Sequence, residues 1–149
     1  MRILPVLLLA VALSGCPKTA YHDAVVAEHD FKLGVQSFQQ AEMVEFQAGR
    51  IDAAEHQKLE GGIAQIGTAA QTLVTALQGG AVNTTVQQDF ATVSAAVTTL
   101  LNDGVLGIKN PTSQALLKTL IQTIQAILAN VGSLLSTPTT TTAAVKGAS

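Results

Sequence analysis

Few side chains in this 149-residue sequence could carry acid–base, nucleophilic or metal chemistry: three histidines, one cysteine and ten acidic residues. His22 and His29 are seven residues apart, which on a helix is two turns, or about 10 Å along the axis. One ion cannot be held directly by both at that separation, and they lack the i, i+4 spacing of helical metal sites. His56 can join them only through tertiary packing, so all three read as surface histidines. Glu42 and Glu45 sit one turn apart and could pair with a carboxylate elsewhere. No Glu-x-x-His pattern of the kind used by di-metal bundles accompanies them, and they read as a solvated helix face. There is no nucleophile elbow, no phosphate-cradling glycine loop and no second cysteine. Gly61-Gly62 lies inside a helical pattern and reads as a close helix approach or a kink rather than a phosphate site. The expectation is a protein that is not an enzyme, with no catalytic residue, no metal ligand and no cofactor.

The cysteine has a setting of its own. The sequence opens with Met1-Arg2 and then runs apolar over residues 3–13, a charged n-region followed by an h-region. That run is too short to cross a bilayer as a helix, which takes roughly 20 apolar residues. It ends in Leu13-Ser14-Gly15-Cys16, an aliphatic residue, two small residues and a cysteine. This motif resembles the lipobox of bacterial lipoproteins; the alternative reading is an ordinary secretory signal with a small-x-small cleavage site. The resemblance covers residues 1–16 and implies cleavage between Gly15 and Cys16. It also implies diacylglycerol on the Cys16 sulfur, further acylation by fatty acids such as palmitate, and a mature protein that begins at Cys16. Each buried methylene contributes roughly 0.8 kcal/mol, and a single myristoyl chain holds only marginally; two or three long chains on one residue would hold almost permanently. Pro17 follows the cysteine, where an aspartate would retain a lipoprotein at the inner membrane of a two-membrane host. The expected location is therefore the cell envelope, at the periplasmic face of the outer membrane if the host is Gram-negative.

Positioning elements come next. Residues 16–149 are enough for one domain with its own core, and with its one cysteine acylated that domain can form no disulfide. Loss of Arg2 with the signal moves the formal charge from −2 to −3. There is no basic patch and no aromatic interleaving, so nucleic acid is excluded as a partner. Eight of the ten acidic residues lie between 23 and 60, whereas 61–108 carries only Asp89 and Asp103; the asymmetry reads as a solvated first hairpin.

Apolar positions repeat with helical period. Leu59, Ile63, Ile66, Ala70, Leu73 and Leu77 step by four and three. So do Val86, Phe90, Val93, Val97 and Leu100, and so do Leu117, Ile121, Ile124, Leu128, Val131 and Leu135. Leu116, Leu120 and Ile127 broaden the last stripe. No segment alternates long enough to be a strand. The expected fold is all-α, an antiparallel bundle of about four helices arranged as two αα-hairpins. Its parts are a signal at 1–15, a lipidated tether at 16–20, the bundle at 21–135 and a low-complexity disordered tail at 136–149. Gly49 suits the C-terminal end of helix one, and Asp52 with Glu55 forms a capping box opening helix two. Gly79-Gly80 ends helix two, Asn83 or Thr84 caps helix three, and Gly104 closes it. Asn110-Pro111 opens helix four, which fades around 130–132. Helix four is also the most apolar stretch, but Lys118, Gln122, Gln125 and Asn130 interrupt it and favour a bundle core over a membrane span.

Helix one, about 20–48, carries apolar residues on two faces. Ala24, Ala27, Phe31, Val35 and Phe38 form one; at about 100° per residue, Val26, Leu33 and Val44 fall nearly opposite. Either the helix packs on both sides, the second against 105–108, or those three residues form an exposed stripe about 27 Å long that could meet a partner. The functional expectation is a non-enzymatic lipoprotein of the cell envelope, held to the membrane through Cys16, that contacts an unidentified envelope protein or supports an assembly. The competing readings are a bundle sheltering an apolar ligand, a cell-wall anchor, and a phage-derived lysis lipoprotein. Lys146 sits near the end as in murein-linked lipoproteins but is followed by Gly147-Ala148-Ser149. Neither the oligomeric state nor the host is legible in the sequence.

Overall fold

The computed structural model describes residues 18–78 and 83–136, with side chains described over 29–76 and 84–135. The signal, Gly15 and Cys16, the Gly79-Gly80 pair and the tail beyond 136 lie outside the described residues. Four helices follow one another: α1 Lys18–Gln47, α2 Ala53–Gln78, α3 Asn83–Thr99 and α4 Pro111–Ser136. Among the described residues there is no strand, and the all-α bundle stands.

The helices run alternately up and down. Gly34 lies against Ile124 and Ile127 while Glu45 meets Ser113, so α1 and α4 are antiparallel. Leu59 touches Gly104 while Gly62 touches Leu100, so α2 and the end of α3 are antiparallel as well. The closest pairings are α1 with α4 and α2 with α3, and lesser α1–α2 and α3–α4 contacts complete a ring around the core. The main packing partner of α1 is thus α4, the helix most distant from it in sequence, and not its hairpin neighbour α2.

The three heptad stripes fill that core. Leu59, Ile63 and Ile66 from α2, Val86, Val93 and Val97 from α3, and Leu117, Ile121, Ile124 and Leu128 from α4 are buried, with Phe38 from α1 and Ile51 from the first turn. Each such side chain contributes roughly 1.5–3 kcal/mol when fully removed from water. Leu120 and Ile127 pack partly, whereas Leu116 stays exposed. By length and composition α4 could cross a membrane over Pro111–Leu135; in this bundle its Leu117–Leu128 stripe faces the other helices.

Local chemistry sets the joints. At Gly49 the chain turns left-handed (φ 69°), and the amides of Gly49 and Arg50 donate to the carbonyls of Phe46 and Glu45, the paired bonds of a Schellman motif. The capping box forms: Asp52 Oδ1 accepts from the amides of Ala54 and Glu55 at 3.0 and 2.9 Å, and Asp52 N–H donates to Glu55 Oε2 at 2.8 Å. Asn110 Oδ1 accepts from Thr112 and Ser113 at 3.0 and 3.1 Å, with Pro111 in the first helical position.

Two boundaries differ from expectation. Gly104 does not close helix three: a π-helical turn, Leu100–Gly104, and a 3-10 turn, Val105–Gly107, continue the path. The glycine has a right-handed backbone (φ −96°) and serves close packing, since a Cβ there would lie 3.0 Å from Leu59 Cδ2. Helix four runs on to Ser136 rather than fading near 130–132, with Gly132 seated against the Phe90 ring.

Candidate functional site

The end of the bundle where α1 turns into α2 gathers the buried polar side chains of the described residues, Glu42, Glu45, Glu55 and Ser113. Glu42 and Glu45 face inward from the last turns of α1; they are only 1% and 5% exposed. The expected solvated acidic face is therefore corrected at these two positions, and with it the reading of the first hairpin's charge as wholly solvated. The reason is angular: Phe38 at the centre of the buried side of α1 sets its direction, and positions four and seven residues on share that side.

Glu42 meets His56, whose Nδ1 lies in hydrogen-bonding contact with Glu42 Oε1. His56 is half-buried, not a surface histidine, and its ring stacks on Phe46 with centroids 4.0 Å apart and planes 8° from parallel. One turn further along α2 stands Glu60, exposed to solvent. Ligand atoms of Glu42, His56 and Glu60 all lie within 4.8 Å of one another. Burial pushes the Glu42 carboxyl above its ordinary value, and the negative charge of Glu60 adds to that, while the contact and charge of His56 pull the other way.

Glu45, one turn beyond Glu42, has the opposite electrostatics. Arg50 donates to it twice, from Nε at 2.6 Å and from a terminal nitrogen at 2.7 Å, a two-pronged geometry that guanidinium and carboxylate share. Ser113 Oγ donates to the same carboxylate from the first turn of α4. Those bonds, with the Arg50 charge, hold Glu45 down at about 2 against the desolvation that opposes them.

Glu55 extends the network. While Oε2 closes the capping box, Oε1 accepts the backbone N–H of Lys109 at 2.9 Å, tying the start of α2 to the segment before α4. Lys109 Nζ bonds Asp52 Oδ2 at 2.6 Å; that bond lowers the aspartate and raises the lysine from their ordinary values. Among the described residues, no buried side-chain nitrogen or oxygen lacks a partner.

The His56–Glu60 pair does carry the i, i+4 spacing absent from His22 and His29, and that spacing was the signal available in the sequence. Its third member, Glu42, comes from another helix and carried none. The structure does not join His29 to the cluster, and the His22 side chain lies outside the described residues. On the outer side of α1, Leu33 and Val44 are 46% and 56% exposed, so α1 is not packed on both sides at these positions. The 105–108 segment packs against α4 instead. The Val26 side chain lies outside the described residues.

A groove of about 400 Å³ opens between α2 and α3, lined by Ala64, Gln65, Thr68, Ala69, Thr72, Asp89 and Thr92. Thr68, Thr72 and Thr92 donate to carbonyls four residues earlier on their own helices. It is open to solvent, unlike the enclosed chamber that buries most of a lipophilic ligand.

No family model matches the chain, and neither a curated protein nor a solved structure matches it.

Proposed function

We propose that this chain is a lipid-anchored, non-enzymatic helical module of the bacterial cell envelope, acting through contact with another envelope protein. The observation that carries the reading is Leu13-Ser14-Gly15-Cys16 placed at the end of a charged and then apolar leader. Lipid on Cys16 holds the module to a membrane; Pro17, in place of an inner-membrane retention aspartate, favours the outer one in a two-membrane host. The begun helix at Lys18 leaves almost no tether, so α1 is the element nearest the lipid.

The reading places the contact on the outer side of α1, where Leu33 and Val44 share one exposed side of the helix. The open character of the α2–α3 groove counts against the competing reading of an apolar-ligand carrier. Fractionation of the native host tests the proposal. Wild-type protein should pellet with membranes and resist high salt, while Cys16→Ser should appear in the soluble fraction or accumulate as uncleaved precursor. A Cys16→Ser protein that is cleaved and still pellets with membranes like wild type would contradict it.

A further inference from the structure

We propose that Glu42, His56 and Glu60 form a binding site for a divalent first-row transition metal of the zinc class. The donor set, one imidazole nitrogen and two carboxylate oxygens, is the kind that zinc, cobalt(II), iron(II) and manganese(II) accept, with remaining positions left for water. The geometry needs a small adjustment. Such bonds are about 2.0–2.2 Å long, so neighbouring ligand atoms of a tetrahedral ion stand about 3.3–3.6 Å apart. The three ligand atoms lie within 4.8 Å of one another, and Glu42 and His56, in direct hydrogen-bonding contact, part slightly to admit the ion. Glu60 is exposed and, among the described residues, has no hydrogen-bond or ion-pair partner, so a rotamer change there brings its carboxylate in.

Three further features fit an ion. Glu42 is 1% exposed, and a carboxylate that deep is costly unless a positive partner offsets it. The charge it faces besides His56 is a second carboxylate, Glu60. Among the described residues no lysine or arginine bonds either one; Arg50 and Lys109 are engaged by Glu45 and Asp52. His56 presents Nδ1 to the site, and its stack on Phe46 restrains the ring plane. An ion entering from the Glu60 side takes the place of the proton between His56 and Glu42, so binding releases protons. This site is independent of the lipid anchor, and failure of one proposal leaves the other standing.

Cobalt(II) and zinc(II), titrated into the full chain in detergent, test the site. Wild type should bind one cobalt ion with visible ligand-field bands, zinc should displace it, and saturating zinc should raise the melting temperature. Glu60→Gln, a change at an exposed side chain, should keep the helical spectrum and weaken binding at least tenfold, abolishing the zinc-dependent rise. His22→Ala/His29→Ala should bind as wild type. Absence of one-to-one binding, unchanged affinity in Glu60→Gln, or loss of binding in the His22/His29 variant would each overturn the proposal.

Discussion

Ser113, in the first turn of α4, donates its hydroxyl to Glu45 in the last turns of α1, a bond between residues 68 apart in sequence. Ser113 is wholly buried, and its partner is already clamped by Arg50. The contact closes the bundle at the end where the first turn and the 3-10 turn meet. Ser113→Ala removes one donor and leaves carboxylate lone pairs short of a partner, so it should cost about 1 kcal/mol. Chemical denaturation at neutral pH should show the midpoint falling with an unchanged slope.

Acid should reveal the same carboxylate. The folded-state value of Glu45 is about 2, below the ordinary 4.5. A depressed carboxylate stabilises the fold above its unfolded value, and that stability is lost as pH falls through the folded one. The loss should therefore fall between about pH 4.5 and 2. Glu42 is shifted upward, so its contribution has the reverse sign, present at low pH and lost as pH rises through its folded value. Melting temperatures followed from pH 6 to 2 in a chelating buffer should fall more shallowly in Glu45→Gln than in wild type. A parallel fall would contradict the assignment.

Adjacent glycines should respond with opposite signs. At Gly61 an added Cβ meets nothing within 4 Å, whereas at Gly62 it would lie 2.7 Å from Leu100 Cδ1 and 3.3 Å from Leu100 Cβ. Both are inside α2, where alanine is favoured over glycine by roughly 0.5–1 kcal/mol. Gly61→Ala should stabilise by that amount. Gly62→Ala should destabilise, because the second contact is with a β-carbon that cannot swing aside. Thermal melts of the two variants make the comparison.

Leu33→Glu should leave the melting temperature within the range of a neutral surface change, about 0.5 kcal/mol, since Leu33 is 46% exposed. If the outer side of α1 meets a partner, the same variant should weaken capture of that partner from solubilised envelopes. A drop of several degrees with unaltered capture would remove Leu33 from the contact surface.

Much of the architecture could be read from single residues. The heptad stripes of α2, α3 and α4 became the core, and Gly49, Asp52 with Glu55, and Asn110-Pro111 formed the caps that their chemistry implies. Those signals are local, complete within one or two turns. Gly104 and Gly132 misled because a glycine near a helix end and a glycine under a neighbouring side chain look alike in sequence; only the positions of Leu59 and Phe90 tell them apart. The polar cluster was hidden for a similar reason. Glu42, Glu45 and Ser113 acquire their roles from partners 14 and 68 residues away, and a glutamate bound for the interior has the same composition as one bound for solvent.

The proposed attachment of the chain to its membrane through lipid on Cys16 is tested most directly by one intact-mass measurement. Protein extracted by detergent from host membranes should have the mass of residues 16–149 plus diacylglycerol, with or without a third acyl chain, and N-terminal peptides should carry the added mass on Cys16. An unmodified Cys16, or an N-terminus at any other residue, would contradict lipid anchoring at Cys16.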